Sequence, residues 1–311
     1  AALHAPTTVR VTRPDHGPVD IQFEHAILAT GSRPVLPSSL SLGGDRVWDS
    51  TRALELPSIP TSLLVVGGGY IGLELGSAYA ALGSTVTVVE MTSALLPGAD
   101  RDLTSAVARR LEGVCEEVLL ETTVGSLAEE GDGVRVTLQG SGSAKLDRYF
   151  DRVLVAVGRV PNSEIEGLET TSVQRGDRGF VTVDGQRRTA EPTIFAVGDL
   201  VGEPMLAHKA SHEARTAVEA IAGHKGVFEP TTIPAVVFTD PEVAWCGLTE
   251  TQAKANGQAV QVSRFPWAAS GRAATLDRPS GVTKLVIDPV TEQILGVGIV
   301  GDGAGELIEE G

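Results

Sequence analysis

The sequence has very few cysteines, and the two it has stand far apart. Cys115 and Cys246 form neither a CxxC-type redox pair nor the dense framework of a disulfide-stapled domain. We therefore expect two isolated thiols and a reducing compartment, the cytoplasm.

Basic residues are also scarce relative to acidic ones. The chain has 25 Lys and Arg against 40 Asp and Glu, a net charge of -15. Such a chain repels phosphate backbones and anionic lipid surfaces. A long uninterrupted apolar run is missing as well, because the most apolar region, residues 63–89, contains Glu74 and several glycines. We expect neither a nucleic-acid nor a membrane partner.

Glycine, by contrast, is abundant. The 36 glycines in 311 residues exceed the average usage of roughly 7%. This excess is typical of nucleotide-binding turns, and the length indicates two or three domains. One βαβ unit is the clearest element: a strand at 63–66, a helix at 70–82 and a second strand at 85–90.

The turn between the first strand and the helix carries the pattern GxGxxG at Gly67, Gly69 and Gly72. Gly67 allows the tight turn, Gly69 lets the backbone approach a pyrophosphate, and Gly72 lets the helix pack on the strand. The amides at the helix N-terminus stabilise phosphate charge. With strand, helix and second strand all in place, the pattern predicts dinucleotide binding rather than packing alone.

Two acidic residues extend this prediction. Glu90 ends the second strand, where it can accept hydrogen bonds from ribose hydroxyls and repel a 2′-phosphate, so NAD is favoured over NADP. The alternative is a solvated carboxylate at a strand end. Glu74 lies in an apolar part of the helix and should therefore have a basic partner, which is not obvious in this chain.

Further strands and helices suggest how the chain is divided. A buried strand at 152–157 ends at Gly158, and another at 193–197 ends at Gly198 and Asp199 before a helix at 209–222. Alternating strands follow Pro230. We predict three domains: residues 1–50 with 186–228, residues 51–185, and residues 229–311.

Several motifs then resemble one family. The sequence has ATG at 29–31, the glycine fingerprint at 67–76, VAVGRVPN at 155–162 and FAVGD at 195–199. In this order they resemble the flavoprotein disulfide reductases. Within that family, the segments VEM at 89–91, PMLAHK at 204–209, DPEVA at 240–244 and FPWAASGR at 265–272 are similar to the dihydrolipoamide dehydrogenases.

The resemblance implies an α/β fold, with doubly wound Rossmann-like FAD- and NAD-binding domains and a C-terminal α+β interface domain. It implies electron transfer from dihydrolipoamide, through a redox disulfide and FAD, to NAD. The residues expected at NAD are Gly67, Gly68, Gly69, Tyr70, Ile71, Gly72, Glu90, Val124, Ala156, Gly158 and Arg159. Those expected at FAD are Ala29, Thr30, Gly31, Gly198, Asp199, Met205, Leu206, Ala207 and His208.

Three of these positions have alternatives. Asp199 follows a buried strand, where it is a cofactor ligand or, equally, a helix cap. The resemblance gives the role of His208 to its backbone amide rather than to its imidazole. Tyr70 lies near the nicotinamide or serves ordinary packing.

The sequence also departs from the family. The N-terminal FAD fingerprint, the CxxxxC disulfide and the C-terminal His and Glu acid-base pair are not found, so we interpret the chain as a fragment lacking both ends. We assign no catalytic residue and no metal ligand to it. The expected partners are a lipoyl-bearing protein of a 2-oxo acid dehydrogenase complex and a second copy in a homodimer. A mercuric or glutathione reductase, or a non-catalytic nucleotide-binding scaffold, is the alternative.

Overall fold

The computed structural model describes residues 1–142 and 145–311. Its contacts divide the chain into two compact units, Ala1–Arg33 with Arg159–Thr231, and Pro34–Gly158 with Thr232–Gly311. We refer to them as unit 1 and unit 2. None of the helices in the described ranges is long and apolar enough to cross a membrane.

Regular elements within these residues comprise twenty strands and seven α-helices. The strands are β1 (Ala2–Ala5), β2 (Thr8–Arg13), β3 (His16–Gln22), β4 (Ala26–Leu28), β5 (Ser32–Pro34), β6 (Val47–Trp48), β7 (Ser62–Val66), β8 (Thr85–Val89), β9 (Glu117–Leu119), β10 (Thr123–Glu130), β11 (Gly133–Gln139), β12 (Lys145–Phe150), β13 (Arg152–Val155), β14 (Arg159–Pro161), β15 (Ile194–Ala196), β16 (Ala235–Val237), β17 (Glu242–Gly247), β18 (Gln261–Pro266), β19 (Val282–Ile287) and β20 (Ile294–Gly301). The helices are α1 (Ser50–Leu54), α2 (Tyr70–Ala81), α3 (Arg101–Leu111), α4 (Ala207–Ile221), α5 (Glu250–Ala255), α6 (Gly271–Thr275) and α7 (Ala304–Leu307).

A five-stranded parallel sheet lies at the centre of unit 2, in the order β6-β13-β7-β8-β9. Its strands are apolar along their length because both faces are covered, and Leu63, Leu64 and Val65 are fully buried. The predicted βαβ unit is confirmed as β7-α2-β8. From β7 the chain adds β8 and then β9 on one side of the sheet, and it later adds β13 on the opposite side of β7. Ligands bind at the carboxyl ends of strands where the order reverses in this way.

The two faces of this sheet are covered differently. Helices α2 and α3 pack on one face around Leu73, Leu103 and Val107. On the other face lies the antiparallel sheet β10-β11-β12, whose buried side chains Val134 and Val136 join Leu64 and Val66 of the parallel sheet in one core cluster. The alternation of β11 is that of a strand with one buried face, as the sequence predicts for residues 134–138.

The last part of unit 2 is an antiparallel sheet in the order β16-β17-β20-β19-β18, the α+β region expected after Pro230. Helix α3 packs on this sheet as well. A Cβ added at Gly298 of β20 would lie 2.6 Å from Leu103 Cδ1, so the missing side chain at Gly298 lets Leu103 of the helix pack directly on the strand.

Buried charges also tie α3 to the antiparallel sheet. Lys284 of β19 is 1% exposed, and its Nζ lies 2.7 Å from Asp100 Oδ2, 2.9 Å from Asp102 Oδ1 and 2.5 Å from Glu250 Oε1. Arg264 pairs with Asp102 and Glu250. Burial opposes the charge of Asp100 and Asp102 and is the largest single effect, but their hydrogen bonds together lower the pKa of both carboxyls. Lys284 donates to both, with further donors from residues 250 and 251 at Asp100 and from Arg264 at Asp102.

Unit 1 contains the antiparallel sheet β1-β2-β3, the parallel pair β4 and β15, the pair β5 and β14, and α4. Residues 159–185, which the sequence places with the second domain, belong to this unit. The reason is their packing: Leu168 joins Leu3 and Ile194 in one cluster, and Val181 joins Ala196 and Leu200 in another. The division into three domains otherwise stays a prediction.

We predict that Lys284→Met destabilises unit 2 by about 3–5 kcal/mol, because buried Asp100 is then left without its ammonium partner. Urea unfolding measures the effect, and Lys254→Met, at an exposed lysine of α5, is the control.

The same variant has an expected pH dependence. Folding lowers the pKa of Asp100 and Asp102 below the unfolded value of about 3.9, so their stabilising effect is complete above about pH 4 and is lost as pH falls through the folded pKa. The stability difference between wild type and Lys284→Met should therefore shrink in acid. A difference that stays constant down to pH 2 contradicts the assignment.

Candidate nucleotide-binding sites

The first candidate site is the turn between β7 and α2. Gly67 has a φ of +113°, and a Cβ there would lie 2.4 Å from the carbonyl oxygen of Ala156. A Cβ at Gly72 would lie 2.1 Å from the carbonyl oxygen of Gly67. Both positions therefore require glycine, because any side chain there would collide with a backbone carbonyl that cannot move aside. At Gly69, in contrast, a Cβ would meet no atom within 4 Å. The turn is closed toward the protein at Gly67 and Gly72 and open outward at Gly69.

The N-terminus of α2 is exposed at this open position. Gly69 is the N-cap and provides no capping side chain, and Tyr70, the first helical residue, is 40% exposed. Ile71 follows and is half-buried. The exposure of Tyr70 disfavours the alternative that it serves core packing. Amides in the first turn carry the positive end of the helix dipole, so this position favours an anion.

Glu90 lies against the same turn and is 8% exposed, which contradicts the alternative of a solvated strand-end carboxylate. Its Oε2 accepts a hydrogen bond from the Gly68 amide at 2.7 Å, and its Oε1 accepts one from the Thr92 amide at 2.8 Å. The carboxylate therefore holds the glycine turn in place. Each oxygen keeps a further lone pair for a sugar hydroxyl.

The end of β13 forms another wall of this turn. Ala156 donates its amide to the carbonyl of Val66 at 2.8 Å, and Gly158, with a φ of +139°, accepts from the amide of Val35 at 2.9 Å. Val124 of β10 is half-buried against the core cluster that Val134 and Val136 form with Leu64 and Val66. The ends of β7, β8 and β13 thus bring Gly67, Glu90 and Ala156 together, as the strand reversal requires.

Arg159, which the sequence groups with the NAD residues, contacts an expected FAD residue through Ser32, and its role at NAD stays a prediction. It belongs to unit 1, where its Nε donates to Ser32 Oγ at 2.7 Å and its Nη2 donates to the Ser32 carbonyl at 2.9 Å. Ser32 Oγ in turn donates to Asp199 Oδ2 at 2.6 Å. These contacts connect the guanidinium to the expected FAD residues, and the sequence carries no local signal for that connection.

The second candidate site lies in unit 1 at the carboxyl ends of β4 and β15, which pair in parallel. Residues 29–31 follow β4, and Gly198 and Asp199 follow β15, so the two segments are neighbours. Thr30 donates from Oγ1 to the Asn162 carbonyl at 2.8 Å. Asp199 is half-buried. It does not cap α4, whose N-cap is Leu206, so the helix-cap alternative for Asp199 is wrong.

The start of α4 resembles the start of α2 in being uncapped. Leu206 cannot cap the helix, and Ala207 and His208 are exposed in its first turn. Met205 precedes the N-cap and is half-buried. With fifteen residues the helix has a substantial dipole, so its exposed N-terminus suits a negatively charged group.

Glu74 has a hydrogen-bond donor within this chain, and the basic partner that the sequence predicts for it stays a prediction. Its Oε1 accepts a hydrogen bond from the Phe238 amide at 2.9 Å. Burial raises the pKa of Glu74, although this hydrogen bond acts in the opposite direction. The two cysteines are free, as predicted, and burial raises the pKa of the Cys115 thiol.

A cluster of three carboxylates was not anticipated from the sequence. Oxygens of Asp100, Asp102 and Glu250 lie within 4.8 Å of one another. The Lys284 ammonium contacts all three, so the cluster already has a cation of its own.

We predict that Gly69→Ala and Gly72→Ala separate ligand binding from folding. The methyl of Gly69→Ala projects into open space, so the stability should change by about 0.5 kcal/mol or less while NAD binding weakens about tenfold or more. Gly72→Ala forces a Cβ onto the Gly67 carbonyl and should destabilise the fold. Calorimetric titration with NAD and urea unfolding measure the two effects. Unchanged NAD affinity in folded Gly69→Ala contradicts this site.

Comparison with known families gives a consistent match. A family model described as pyridine nucleotide-disulphide oxidoreductase matches residues 4–214, and the model of the dimerisation domain of the same family matches residues 233–311.

Curated proteins similar to the chain include dihydrolipoyl dehydrogenases. Identity is 45% over 306 residues with that of Vibrio cholerae and 46% over 296 residues with that of Haemophilus influenzae. The alignments cover 98% and 95% of this chain but 64% and 62% of those relatives. The chain therefore spans less than two thirds of their length.

Solved structures with a similar fold include two proteins of related description. The Cu(II) complex of the HOCl-induced flavoprotein disulfide reductase RclA from Escherichia coli has a TM-score of 0.87 and 30% identity, over 99% of this chain and 69% of that one. LpdA from Mycobacterium tuberculosis has a TM-score of 0.86 and 28% identity, over 97% of this chain and 65% of that one.

Proposed function

Because this chain belongs to the pyridine nucleotide-disulphide oxidoreductase family, we propose that it is the nucleotide-binding part of a dihydrolipoyl dehydrogenase. The turn at 67–72 binds NAD, and the segment around Asp199 contributes to an FAD site. The observation that carries the proposal is the glycine turn, closed at Gly67 and Gly72 and open at Gly69.

The residues present fit NAD. A pyrophosphate can approach the backbone at Gly69, where no protein atom would meet a Cβ, and the uncapped start of α2 offers amides to its charge. Glu90 orients the turn through Gly68 and takes a ribose hydroxyl with a remaining lone pair. A 2′-phosphate in its place would face the same carboxylate and be repelled.

The residues present also fit part of an FAD. Asp199 stands at the carboxyl end of a parallel strand, where its carboxylate can accept from a ribityl or ribose hydroxyl, and Ala29 to Gly31 lie on the neighbouring strand end. The start of α4, with Met205 to His208, would face the flavin edge and stabilise its negative charge when reduced. Bound FAD and NAD would supply hydride transfer between flavin and nicotinamide.

The proposed reactants follow from the relatives. Dihydrolipoamide carried on a lipoyl-bearing protein is the electron donor, and a homodimer formed through the region of residues 233–311 is the assembly. Cys115 and Cys246 are both free thiols, so we propose no redox dithiol for this chain's residues. Free thiols also support a reducing compartment, the cytoplasm.

The alternatives differ in testable ways. A glutathione reductase is disfavoured because Glu90, where basic residues would be expected for NADP, is a buried carboxylate against the turn. For the complete gene product, NAD-dependent oxidation of dihydrolipoamide tests the reaction. A product that holds flavin but does not oxidise dihydrolipoamide favours another disulfide reductase or a non-catalytic scaffold.

We predict that the double variant Glu90→Ala with Met91→Arg weakens NAD about tenfold and admits NADP. The change removes the carboxylate that takes the ribose and adds a guanidinium at an exposed position, Met91 being 71% exposed. Calorimetry with each dinucleotide measures the change, and Glu116→Ala, at an exposed acid of the same unit, is the control. Retention of wild-type NAD affinity by the double variant counts against the assigned pocket.

A further inference from the structure

A group of buried charges lies beneath the segment of residues 198–202 in unit 1. The carboxylate of Glu213, on α4, is fully buried. Its Oε2 accepts a hydrogen bond from the Gly198 amide at 2.6 Å, and its Oε1 lies 3.1 Å from Arg187 Nη1 and 3.1 Å from Lys209 Nζ. Glu213 therefore fixes the amide of the residue that precedes Asp199.

Lys209 fixes the same residue through its carbonyl. The side chain is 5% exposed, and Nζ donates to the Gly198 carbonyl at 3.3 Å and to the Gly202 carbonyl at 3.0 Å. Lys209 and Glu213 lie one turn apart on α4, so a single helix face holds both the N–H and the C=O of Gly198. Both ends of the segment 198–202 are held in this way.

Stability alone is a poor explanation for these charges. A lysine in the first turn of a helix faces the positive end of the helix dipole, which disfavours it. Burying Lys209 and Glu213 also costs desolvation, and well-packed apolar residues in place of a buried ion pair are often as stable or more so. The pair does, however, orient the two peptide groups on either side of the Gly198 Cα, which apolar side chains cannot do.

The backbone at Gly198, which Glu213 and Lys209 hold, determines where the Asp199 side chain points. Gly198 has a φ of +78°, and a Cβ there would lie 3.2 Å from Ala210 Cβ, so the backbone turns sharply against α4 at this residue. On the other side, Asp199 Oδ2 accepts from Ser32 Oγ at 2.6 Å. The carboxylate is thus oriented by a side-chain contact at Oδ2 and by a fixed backbone behind it, and its two oxygens together have lone pairs enough to accept from a further donor.

We propose that Lys209 and Glu213 are positioning residues. They hold the backbone N–H and C=O of Gly198 so that the Asp199 carboxylate meets a hydroxyl of FAD. The inference rests on the proposed FAD site and goes beyond it, because neither residue is expected to touch the cofactor. A ligand group has to be held to within about 0.5 Å to be effective, and hydrogen bonds to the peptide groups on both sides of Gly198 restrict the backbone from which Asp199 projects.

The test uses this chain with Lys209→Met, Glu213→Gln and Asp199→Ala. The matched control is Glu219→Gln, because Glu219 pairs with Arg215 at the same i,i+4 spacing on the same helix, but their side chains are 43% and 79% exposed. Three measurements are made under conditions where urea titration shows each variant folded. They are the hydrogen exchange of amides 198–202, the Kd for FAD from flavin fluorescence, and the Kd of the double variant Lys209→Met with Asp199→Ala.

We expect Lys209→Met and Glu213→Gln to speed exchange at residues 198–202 at least tenfold and to weaken FAD at least tenfold, while Glu219→Gln changes neither. In the Asp199→Ala background, Lys209→Met should weaken FAD no further, because it acts through Asp199. A merely structural role would instead weaken FAD in both backgrounds, and that result overturns the proposal.

Two further outcomes distinguish this inference from the proposed function. If wild type binds FAD, Asp199→Ala abolishes binding and Lys209→Met retains it, the positioning role is wrong and the FAD site stands. If wild type does not bind FAD at any concentration tested, the proposed FAD site fails and the positioning role fails with it.

Discussion

The backbone contact at the start of α2 is the constraint on which the nucleotide-binding unit depends. The Gly67 carbonyl lies where a side chain at Gly72 would be, and the Ala156 carbonyl lies where one at Gly67 would be. Three parallel strand ends can converge only because those side chains are missing. Their convergence leaves the amides at the start of α2 pointing outward, with Gly69 as the open position. The Rossmann-like geometry of this region is therefore a consequence of two backbone contacts.

The two candidate sites share one hydrogen-bonding arrangement, in which a buried carboxylate accepts from a glycine amide. In each, a glycine amide at the end of a parallel strand is held by a carboxylate from a following element, Gly68 by Glu90 at 2.7 Å and Gly198 by Glu213 at 2.6 Å. Glu90 ends a strand and stays next to the proposed sugar, so it can serve as holder and ligand at once. Glu213 lies inside a helix and is neutralised by Lys209 and Arg187, and the proposed FAD ligand beside it is Asp199.

Local patterns made much of this predictable from the sequence. The glycine turn, α2, the strand ends and the antiparallel region are encoded by residues close together in the chain. The contacts that could not be predicted join residues distant in sequence. Lys284 meets Asp100, Arg159 meets Ser32, and residues 159–185 join unit 1 through isolated apolar side chains with no periodicity. The hydrogen bond from the Phe238 amide to Glu74 is of the same kind, because nearly every residue carries an amide and the sequence does not say which one approaches a given carboxylate.

The buried ammonium of Lys284 has a consequence for how readily proteases degrade the chain. Asp100 and Asp102 at the start of α3 and Glu250 in α5 share it, so the antiparallel layer can leave α3 only by breaking all of these ion pairs at once. We therefore expect the parallel sheet with α3 and the antiparallel layer to open together, as one cooperative unit. A protease that cleaves only opened protein would then need both layers to open, and a ligand bound to either layer would protect the other from degradation.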